Sequence, residues 1–374
     1  MPIFDQGYQH WSGTLRGHAW RWLAITRHGV KIGRKSLFLR AFLFLAWAPA
    51  LVLAFMLCIW GLVERKSDLV GQVSGLLGFL APDILAHPLQ YRVTVWTLFY
   101  SQFLQVELYL SIVLILLVGP NLISQDLRFN AMPLYFSRPL RRIDYFLGKL
   151  GIIAAFLGMV VIVPAIVAYI LGLLFSHDIT IIRDTLPILL ASIAYGAVIS
   201  LSAGMLVLAL SSLSRNSRYT ALFWLGTLLV GMTISWALNE IDKDQRRYAY
   251  VQENGRIQSQ RMESDPAIRE HARLEQEKRA QEALDRETVA AQHNWRPLVS
   301  YTANLSRIGD HLLNTRATWV ALSKFVPADQ RQAYLLEKLD PQYPWYWSAE
   351  VLAVLFGLSA WILNFRVRSL DRLK

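Results

Sequence analysis

Six long apolar stretches constrain what this chain can fold into more than any other feature. Each contains 20 to 26 residues, and none contains a Lys or an Arg. A helix needs about 20 consecutive apolar residues to cross the hydrocarbon core of a membrane, so each stretch is long enough to do so. The sequence therefore predicts an all-α, polytopic membrane protein with six transmembrane helices, at 41–63, 93–118, 150–175, 186–210, 219–238 and 345–364.

Charged residues are concentrated between the fifth and sixth stretches. Residues 239–345 hold 32 of the 65 Asp, Glu, Lys and Arg residues, 16 acidic and 16 basic. This uneven distribution excludes a single soluble globule, a disordered chain and a collagen-like repeat. It predicts a mostly helical extracytoplasmic insert between spans five and six. The expected segments are an N-terminal segment at 1–40, spans one to five at 41–238 with a loop at 119–149, the insert at 239–344, and the sixth span with a basic tail at 345–374.

The distribution of Lys and Arg among the short loops predicts the orientation of the spans. Eighteen of these cations lie on one side of the spans, in the segments 1–40, 119–149, 211–218 and 365–374. The short loops on the other side, 64–92 and 176–185, carry four. Because short basic loops stay in the cytoplasm, both termini are expected there, at the cytoplasmic membrane of a bacterium. The excess positive charge lies beside the spans, so anionic lipids are an expected partner and nucleic acid is not.

The N-terminal segment mixes aromatic and basic side chains. Such a mixture suits the headgroup layer of a membrane, and it predicts an amphipathic helix at the interface. A disordered basic tail is the alternative. The residues concerned are Trp11, Arg16, Trp20, Arg21, Trp22, Arg27 and Lys31.

No pattern for catalysis or metal binding is found in the sequence. Cys58 stands alone in an apolar stretch, and neither the HExxH zinc motif nor the GxSxG hydrolase motif occurs. Residues 29–36 read GVKIGRKS, but Arg34 separates Gly33 from Lys35 and breaks the spacing of a phosphate-binding loop. We therefore predict no catalytic residue, no metal site and no cofactor in this chain.

The loop at 119–149 has the character of a docking element. Gly119 and Pro120 end the second span, and a short helix with an apolar face is predicted after them. The sequence Ser137-Arg138-Pro139 ends that helix and allows another to begin. A short, half-apolar helix held beneath the membrane can enter a groove on a soluble partner and transmit motion to spans two and three. The alternative is an ordinary basic loop.

The same loop resembles the signature region of type-2 ABC exporter permeases. That family pairs a permease of about six spans with a separate ATPase, usually as two copies of each. The resemblance covers the membrane part and leaves out the insert, and the stretch from Asp126 to Ala131 departs from the Glu-Arg and Gly-Thr of many relatives. The matching residues are Ile123, Ser124, Asp126, Ser137, Arg138, Pro139, Arg142, Tyr145, Gly148 and Lys149.

The resemblance implies a function and a set of partners. The chain would be a permease subunit that couples ATP hydrolysis by a separate ATPase, which binds ATP and magnesium, to export or other transmembrane work. A second permease copy or paralogue would complete the complex. The residues expected to couple to the ATPase are Ile123, Ser124, Asp126, Arg128, Ser137, Arg138, Pro139 and Arg142.

A second function from another class stays open on the sequence alone. The chain could be a non-transporting membrane scaffold or anchor that acts through its insert. The insert could contact an extracytoplasmic protein, or it could be a solvated cap over the spans.

Two sets of small or polar residues occur within the spans. Glu107 is costly in the middle of span two, and at 100° per residue Gln102 and Gln105 lie on roughly the opposite face. The two polar faces predict a cargo path or a contact between subunits. The alternative for Glu107 is a neutral carboxyl group bonded to a neighbouring helix. Span four carries small residues at four-residue spacing, which predicts close helix packing, at Ser192, Gly196, Ser200 and Gly204.

Overall fold

A computed structural model describes residues 20–65, 82–136, 140–176, 178–261, 294–326 and 343–371, with Tyr334 and Lys338 as isolated positions. No strand occurs in this part of the chain. We number its α-helices in chain order: α1 (Arg21–Gly33), α2 (Leu37–Leu45), α3 (Ala48–Glu64), α4 (Pro82–Ala86), α5 (Pro88–Val118), α6 (Asn121–Arg128), α7 (Met132–Phe136), α8 (Arg142–Leu157), α9 (Val163–Phe175), α10 (Thr180–Leu213), α11 (Ser217–Arg261), α12 (Tyr301–Leu313), α13 (Thr315–Ser323) and α14 (Trp345–Asp371).

Six helical stretches in the described ranges are long and apolar enough to cross a membrane, which confirms the predicted all-α, polytopic membrane fold. Each of them contains the whole of one of the six apolar stretches found in the sequence. Span two includes α5 and the short α6 that continues it. Spans one to six are Leu37–Glu64, Pro88–Arg128, Arg142–Phe175, Thr180–Leu213, Ser217–Asp242 and Trp345–Arg366.

Two prolines within the spans lie in the first turn of a helix, where the regular hydrogen bonding of the span is interrupted. Pro49 falls in the first turn of α3, where a missing N–H costs little, and Trp47 at the start of this helix donates from Nε1 to the carbonyl of Met159 at 3.2 Å. Pro164 falls in the first turn of α9, directly after a π-helical segment at Gly158–Ile162. Because proline cannot donate to the carbonyl four residues earlier, the widened turn precedes it.

The two ends of the helix bundle hold different loops. We call basal the end that holds α1, α6, α7 and Arg366, and distal the end that holds Glu64, Arg92 and Thr180. The basal end carries the loops that the sequence predicts to be cytoplasmic, and the distal end carries the insert.

Helix α1 packs along the first turns of span three. The hydroxyl of Thr26 donates to the carbonyl of Gly148 at 3.0 Å and closes this contact. A Cβ added at Gly29 would overlap the side chain of Ile152, so the two helices approach at a distance that a larger residue would prevent. The predicted N-terminal helix is therefore present from Arg21 and is anchored to a span by glycine contacts, while Trp11 and Arg16 lie outside the described residues.

The insert returns into the bundle instead of facing water throughout. Tyr301, at the start of α12, shares a hydrogen bond of 2.8 Å with Ser202 of span four, and its ring meets that of Trp224 in span five at 6.2 Å between centroids. Ser202 lies eleven residues, about 16 Å, from the basal end of span four at Leu213. The tip of the insert thus reaches roughly the middle of a hydrocarbon core about 30 Å thick.

From this tip, α12 and α13 lead the chain back to the distal end of the bundle. Gly309 of α12 contacts Tyr195 closely, since an added Cβ would lie 3.0 Å from the ring. Beyond α13, Phe325 meets the ring of Tyr91 near the distal start of span two at 5.3 Å. The segment is therefore a re-entrant helical pair, so this part of the insert packs among the spans. Residues 266–293 are rich in Glu, Arg, Gln and Ala, which predicts a solvated helix, and they lie outside the described residues.

Candidate functional site

Helix α6 is fixed to the basal end of span four by one serine. The Ser211 hydroxyl accepts hydrogen bonds from the backbone N–H groups of Ile123 and Ser124, at 3.1 and 3.0 Å, and donates to the carbonyl of Pro120 at 2.9 Å. It therefore satisfies two of the N–H groups that the first turn of a helix leaves unpaired. Ile123 and Ser124 are both fully buried, so they hold the helix in place and are not available for docking a partner.

A carboxylate joins the same helix to span three. Asp126 Oδ2 accepts a hydrogen bond from the Tyr145 hydroxyl at 2.6 Å and lies 2.7 Å from the Lys149 ammonium. Lys149 and Tyr145 are both buried, and the lysine cation lies 5.4 Å from the centre of the tyrosine ring. We call Ser211, Asp126, Tyr145 and Lys149 the basal frame, because together they tie α6 to spans three and four.

Tyr135 of α7 adds a further contact to the basal frame. Its ring lies 5.3 Å from that of Tyr145 and 5.8 Å from the Lys149 ammonium. Burial, and then the nearby Asp126 carboxylate, raise the pKa of the Tyr135 phenol. The phenol therefore stays neutral at physiological pH, and its ring can stabilise the lysine cation.

The end of α6 leaves a tip exposed. Phe129 is 72% exposed, and the guanidinium of Arg128 lies 5.6 Å above its ring. Asn130 follows with φ 50°, a left-handed conformation that ends the helix and turns the chain towards α7. We call Arg128, Phe129 and Asn130 the loop tip. An exposed aromatic side chain beside a cation, held on a fixed helix, is suited to enter a pocket on another protein.

The remaining predicted coupling residues fall in two groups. Arg142 begins α8 and is half-buried, and the preceding backbone N–H of Arg141 donates to Asp144 at 3.1 Å to cap that helix. Three residues of the signature lie outside the described residues, namely Ser137, Arg138 and Pro139.

The polar residues of span two lie on two faces. Glu107 points inward with Tyr100 and Ser111, and all three are fully buried. Gln102 and Gln105 lie on the outer face and are exposed. Gln105 also accepts a hydrogen bond from Ser306 of the re-entrant pair at 3.3 Å. The structure therefore does not bring Glu107 together with the two glutamines.

The small residues of span four face span three of the same chain. A Cβ at Gly196 would lie 2.8 Å from Ile162, and one at Gly204 would lie 2.6 Å from Leu150. The hydroxyls of Ser192 and Ser200 each donate to the carbonyl four residues earlier, at 2.8 Å. The stripe thus allows the two spans to pack closely.

A cluster of charges at the distal end was not foreseen from the sequence. Arg92 of span two is 2% exposed, and its guanidinium contacts Glu64 of span one at 3.0 Å and both Asp178 and Asp184 at 3.3 Å. Glu64 also accepts from Trp60 Nε1 at 2.7 Å. We call these four charged residues the distal cluster; they connect spans one, two and four. The only sequence signal was the presence of charges at the predicted distal ends of the spans.

Asp178 of the distal cluster is exposed, yet it keeps its charge to low pH. A hydrogen bond from the Thr180 hydroxyl lowers the pKa of Asp178 first, and the Arg92 guanidinium lowers it further. The carboxylate therefore remains ionised and paired with Arg92 throughout the physiological range.

Comparison with known proteins identifies the family. The family model described as ABC-2 family transporter protein matches residues 68–308, which is 241 of the 374 residues. No curated protein matches the chain. The match begins after span one and extends to residue 308, so it includes most of the insert that the sequence resemblance had left out.

The matched region contains the basal frame, the loop tip and most of α12, together with spans two to five. It also covers well over half of the chain. The predicted family is therefore confirmed: this multi-pass membrane protein belongs to the ABC-2 family of transporter proteins.

Proposed function

We propose that the chain is the permease subunit of an ABC transporter complex and that a separate ATPase docks at the loop tip. The observation that carries this proposal is the combination of a fixed helix with an exposed end. A coupling element must be held firmly by the spans it moves, and it must also present a free surface to the subunit that supplies the energy.

The basal frame supplies the firm connection. The Asp126–Lys149 contact of 2.7 Å joins α6 to span three, and the Ser211 hydrogen bonds join it to span four. Because α6 directly continues span two, a displacement of the loop tip would act on three spans together. Approach of two ATP-bound ATPases would tilt these spans and change access at the centre of the complex.

The exposed face of span two supports a second permease copy. Gln102 and Gln105 are exposed about halfway along a span, where polar side chains are costly against lipid. Polar residues at this depth face protein or a water-filled path in most membrane proteins. We propose that this face lies at the seam of two subunits and borders the path of the cargo.

The remaining partners follow from charge and position. We propose that the basal end faces the cytoplasm at a bacterial inner membrane, since it carries the excess of Lys and Arg, and that anionic headgroups of that leaflet neutralise these cations. ATP and magnesium would bind to the ATPase, and this chain would carry no catalytic residue.

Purification of the tagged chain from its native membrane, in mild detergent, tests the proposal. We expect a subunit with a phosphate-binding loop to co-elute and to be identified by mass spectrometry. A double variant, Arg128→Glu with Phe129→Asp, should reduce its recovery at least tenfold, because it reverses the charge and removes the aromatic side chain of the loop tip.

Arg215→Glu is the matched control. Arg215 is also an exposed basal arginine, but it lies in the loop between spans four and five. It should leave recovery of the ATPase within twofold of the unchanged protein. Absence of any nucleotide-binding subunit from the unchanged protein would refute the proposal and favour the scaffold alternative; equal losses in both variants would refute the docking site.

A further inference from the structure

A cavity of about 670 Å³ opens at the basal end, beside the basal frame. Helix α1 and the start of α2 form one side, and the end of α5 with α6 forms the other. Span three closes the back. None of the predicted functions uses this space, although α6 is one of its walls.

The walls of the cavity change character with depth. Leu117, Val118, Ile152 and Phe156 line one part, whereas Asn121, Gln125, Asp126 and Lys149 line the other. A hydrocarbon core of about 30 Å corresponds to about 20 helical residues, and 20 residues back from Phe175 along span three leads to Ala155. The boundary between hydrocarbon and headgroups therefore crosses span three near Ala155, within the apolar wall, and Lys149 lies six residues, about 9 Å, further towards the headgroups.

This position selects the kind of occupant. The volume is far larger than one or a few waters need, and water is poorly held by the apolar walls. A phospholipid of the basal leaflet has an acyl chain for the apolar part and a charged headgroup for the polar part. It is also the molecule that surrounds the opening at the highest concentration.

The charges of the polar part select the headgroup. Asp126 contributes one negative charge to the lining and Lys149 one positive charge, which together sum to zero, and His28 adds an imidazole on the α1 side. Both described contacts of the Asp126 carboxylate, with Tyr145 and Lys149, fall on Oδ2. Within the described part of the chain, Oδ1 is thus left to accept from another donor.

We propose that this cavity binds one zwitterionic phospholipid with a primary ammonium group, of the phosphatidylethanolamine class. Its ammonium donates to Asp126 Oδ1, its phosphate lies towards Lys149, and an acyl chain follows Leu117 and Phe156. An anionic headgroup such as phosphatidylglycerol could place its phosphate beside Lys149, but it has no ammonium to donate to Asp126 Oδ1. A choline headgroup lacks the N–H donors that the carboxylate accepts.

The bound lipid would bridge α1 and α6, each of which is also tied to span three, α1 through Thr26 and α6 through Asp126. It would therefore act as a removable part of the support for the loop tip. This inference does not depend on the ATPase, since it concerns the cavity of the isolated chain.

Lipid retention by the purified full-length chain tests the inference. The protein is washed in detergent containing equal amounts of phosphatidylethanolamine, phosphatidylglycerol and phosphatidylcholine, and the retained lipid is measured by native mass spectrometry. We expect one phosphatidylethanolamine per chain, retained at least fivefold over either of the others. Equal or greater retention of phosphatidylglycerol or phosphatidylcholine, or no retained lipid, would overturn the proposal.

A soluble headgroup distinguishes the lipid from a free phosphate compound. Glycerophosphoethanolamine at millimolar concentration should not displace the retained lipid, because it lacks the acyl chain. Its binding in place of the lipid would overturn the assignment to a phospholipid.

Filling the cavity provides an independent arm. Ala24→Trp places a large ring in the α1 wall and should abolish retention, whereas Leu23→Trp, at an exposed residue of the same helix outside the lining, should preserve it. Retention that is unchanged in Ala24→Trp would place the lipid elsewhere and overturn the site. If Ala24→Trp does not fold, the retention of the three lipids by the unchanged protein still tests whether the cavity selects phosphatidylethanolamine.

Discussion

The basal frame and the distal cluster both join several spans through buried charges, but they differ in how many charged partners the central cation has. At the distal end, one guanidinium is surrounded by three carboxylates, and Arg92 makes contacts with each of them. At the basal end, one lysine meets one carboxylate, which keeps an oxygen for another donor and lies at the edge of a cavity.

This difference indicates that the two ends have different mechanical roles. A guanidinium with several fixed partners resists separation of the spans, because every partner must be released together. A single pair that is supported by ring contacts can be rearranged at lower cost. The distal cluster is thus suited to hold spans one, two and four together while the basal end moves.

The strongest test of the comparison removes the distal cation. Arg92→Met leaves the Glu64 carboxylate buried without a counter-charge, since the Glu64 side chain is only 3% exposed. We expect a loss of about 3–5 kcal/mol in the free energy of unfolding, which is typical of breaking a buried ion pair from one side. Thermal unfolding in detergent, followed by size-exclusion chromatography, measures it.

Arg183→Met serves as its control, because Arg183 is exposed near the same end of span four. It should change the unfolding temperature little. Combining Arg92→Met with Glu64→Gln should recover part of the loss; a pair of changes that is as damaging as the sum of the two would contradict the role of charge.

A smaller effect is expected from the basal frame. Lys149→Met removes the cation from Asp126, but the Tyr145 hydroxyl still donates to the same carboxylate at 2.6 Å. We expect a loss of about 2–3 kcal/mol, less than for Arg92→Met, because one hydrogen bond and partial exposure to water remain. The same unfolding assay measures this loss of stability. A loss larger than that of Arg92→Met would contradict the view that the distal cluster is the firmer connection.

The smallest effect concerns the distal insert and depends on pH. Burial raises the pKa of Asp310 to about 6, although a hydrogen bond from Thr315 and the charge of Arg307 act in the opposite direction. The unfolded state, with an ordinary pKa near 3.8, loses this proton first, so stability decreases as the pH rises from about 4 to above 6.

Asp310→Asn removes this dependence and keeps an acceptor for Thr315. It should raise stability by about 1–2 kcal/mol at pH 7.5, where the native carboxyl group must ionise in a mostly buried position, and by less at pH 5. Unfolding temperatures of both proteins at the two pH values measure the difference. A gain that is greater at pH 5 would show that the charge of Asp310 stabilises the insert.

The sequence was sufficient for features that repeat along the chain. The apolar stretches predicted all six spans because hydrocarbon thickness fixes helix length independently of tertiary contacts. The helical spacing of Leu305, Ile308, Leu312 and Leu313 is likewise readable in the sequence, and it predicts a helix that the structure describes as α12.

Features that depend on packing were beyond the sequence. Arg307 and Asp310 gave the stretch around α12 the composition of a surface helix, and at 13 residues it is too short to be recognised as a span. Its depth follows only from contacts such as Tyr301 with Ser202. Asp126 and Lys149 were named through the resemblance, but a separation of 23 residues does not reveal that they pair.

The same limit applies to glycines. Gly29 and Gly33 were read only as a poor match to a phosphate-binding loop, whereas in the structure they allow α1 to approach Ile152 and Phe156. Small residues four positions apart are a known packing signal between membrane helices. That signal was recognised in span four and would have identified α1 as well.

Helix α11 extends far beyond the membrane that span five crosses. It continues without a break from Ser217 to Arg261, and the 19 residues after Asp242 add about 28 Å to its length. A stiff rod pivoting at its basal foot would magnify small rotations: a tilt of about 5° would swing its far tip by roughly 6 Å. Because α11 also contacts α6, a small displacement of α6 would move the far end of α11 by several ångströms outside the bilayer.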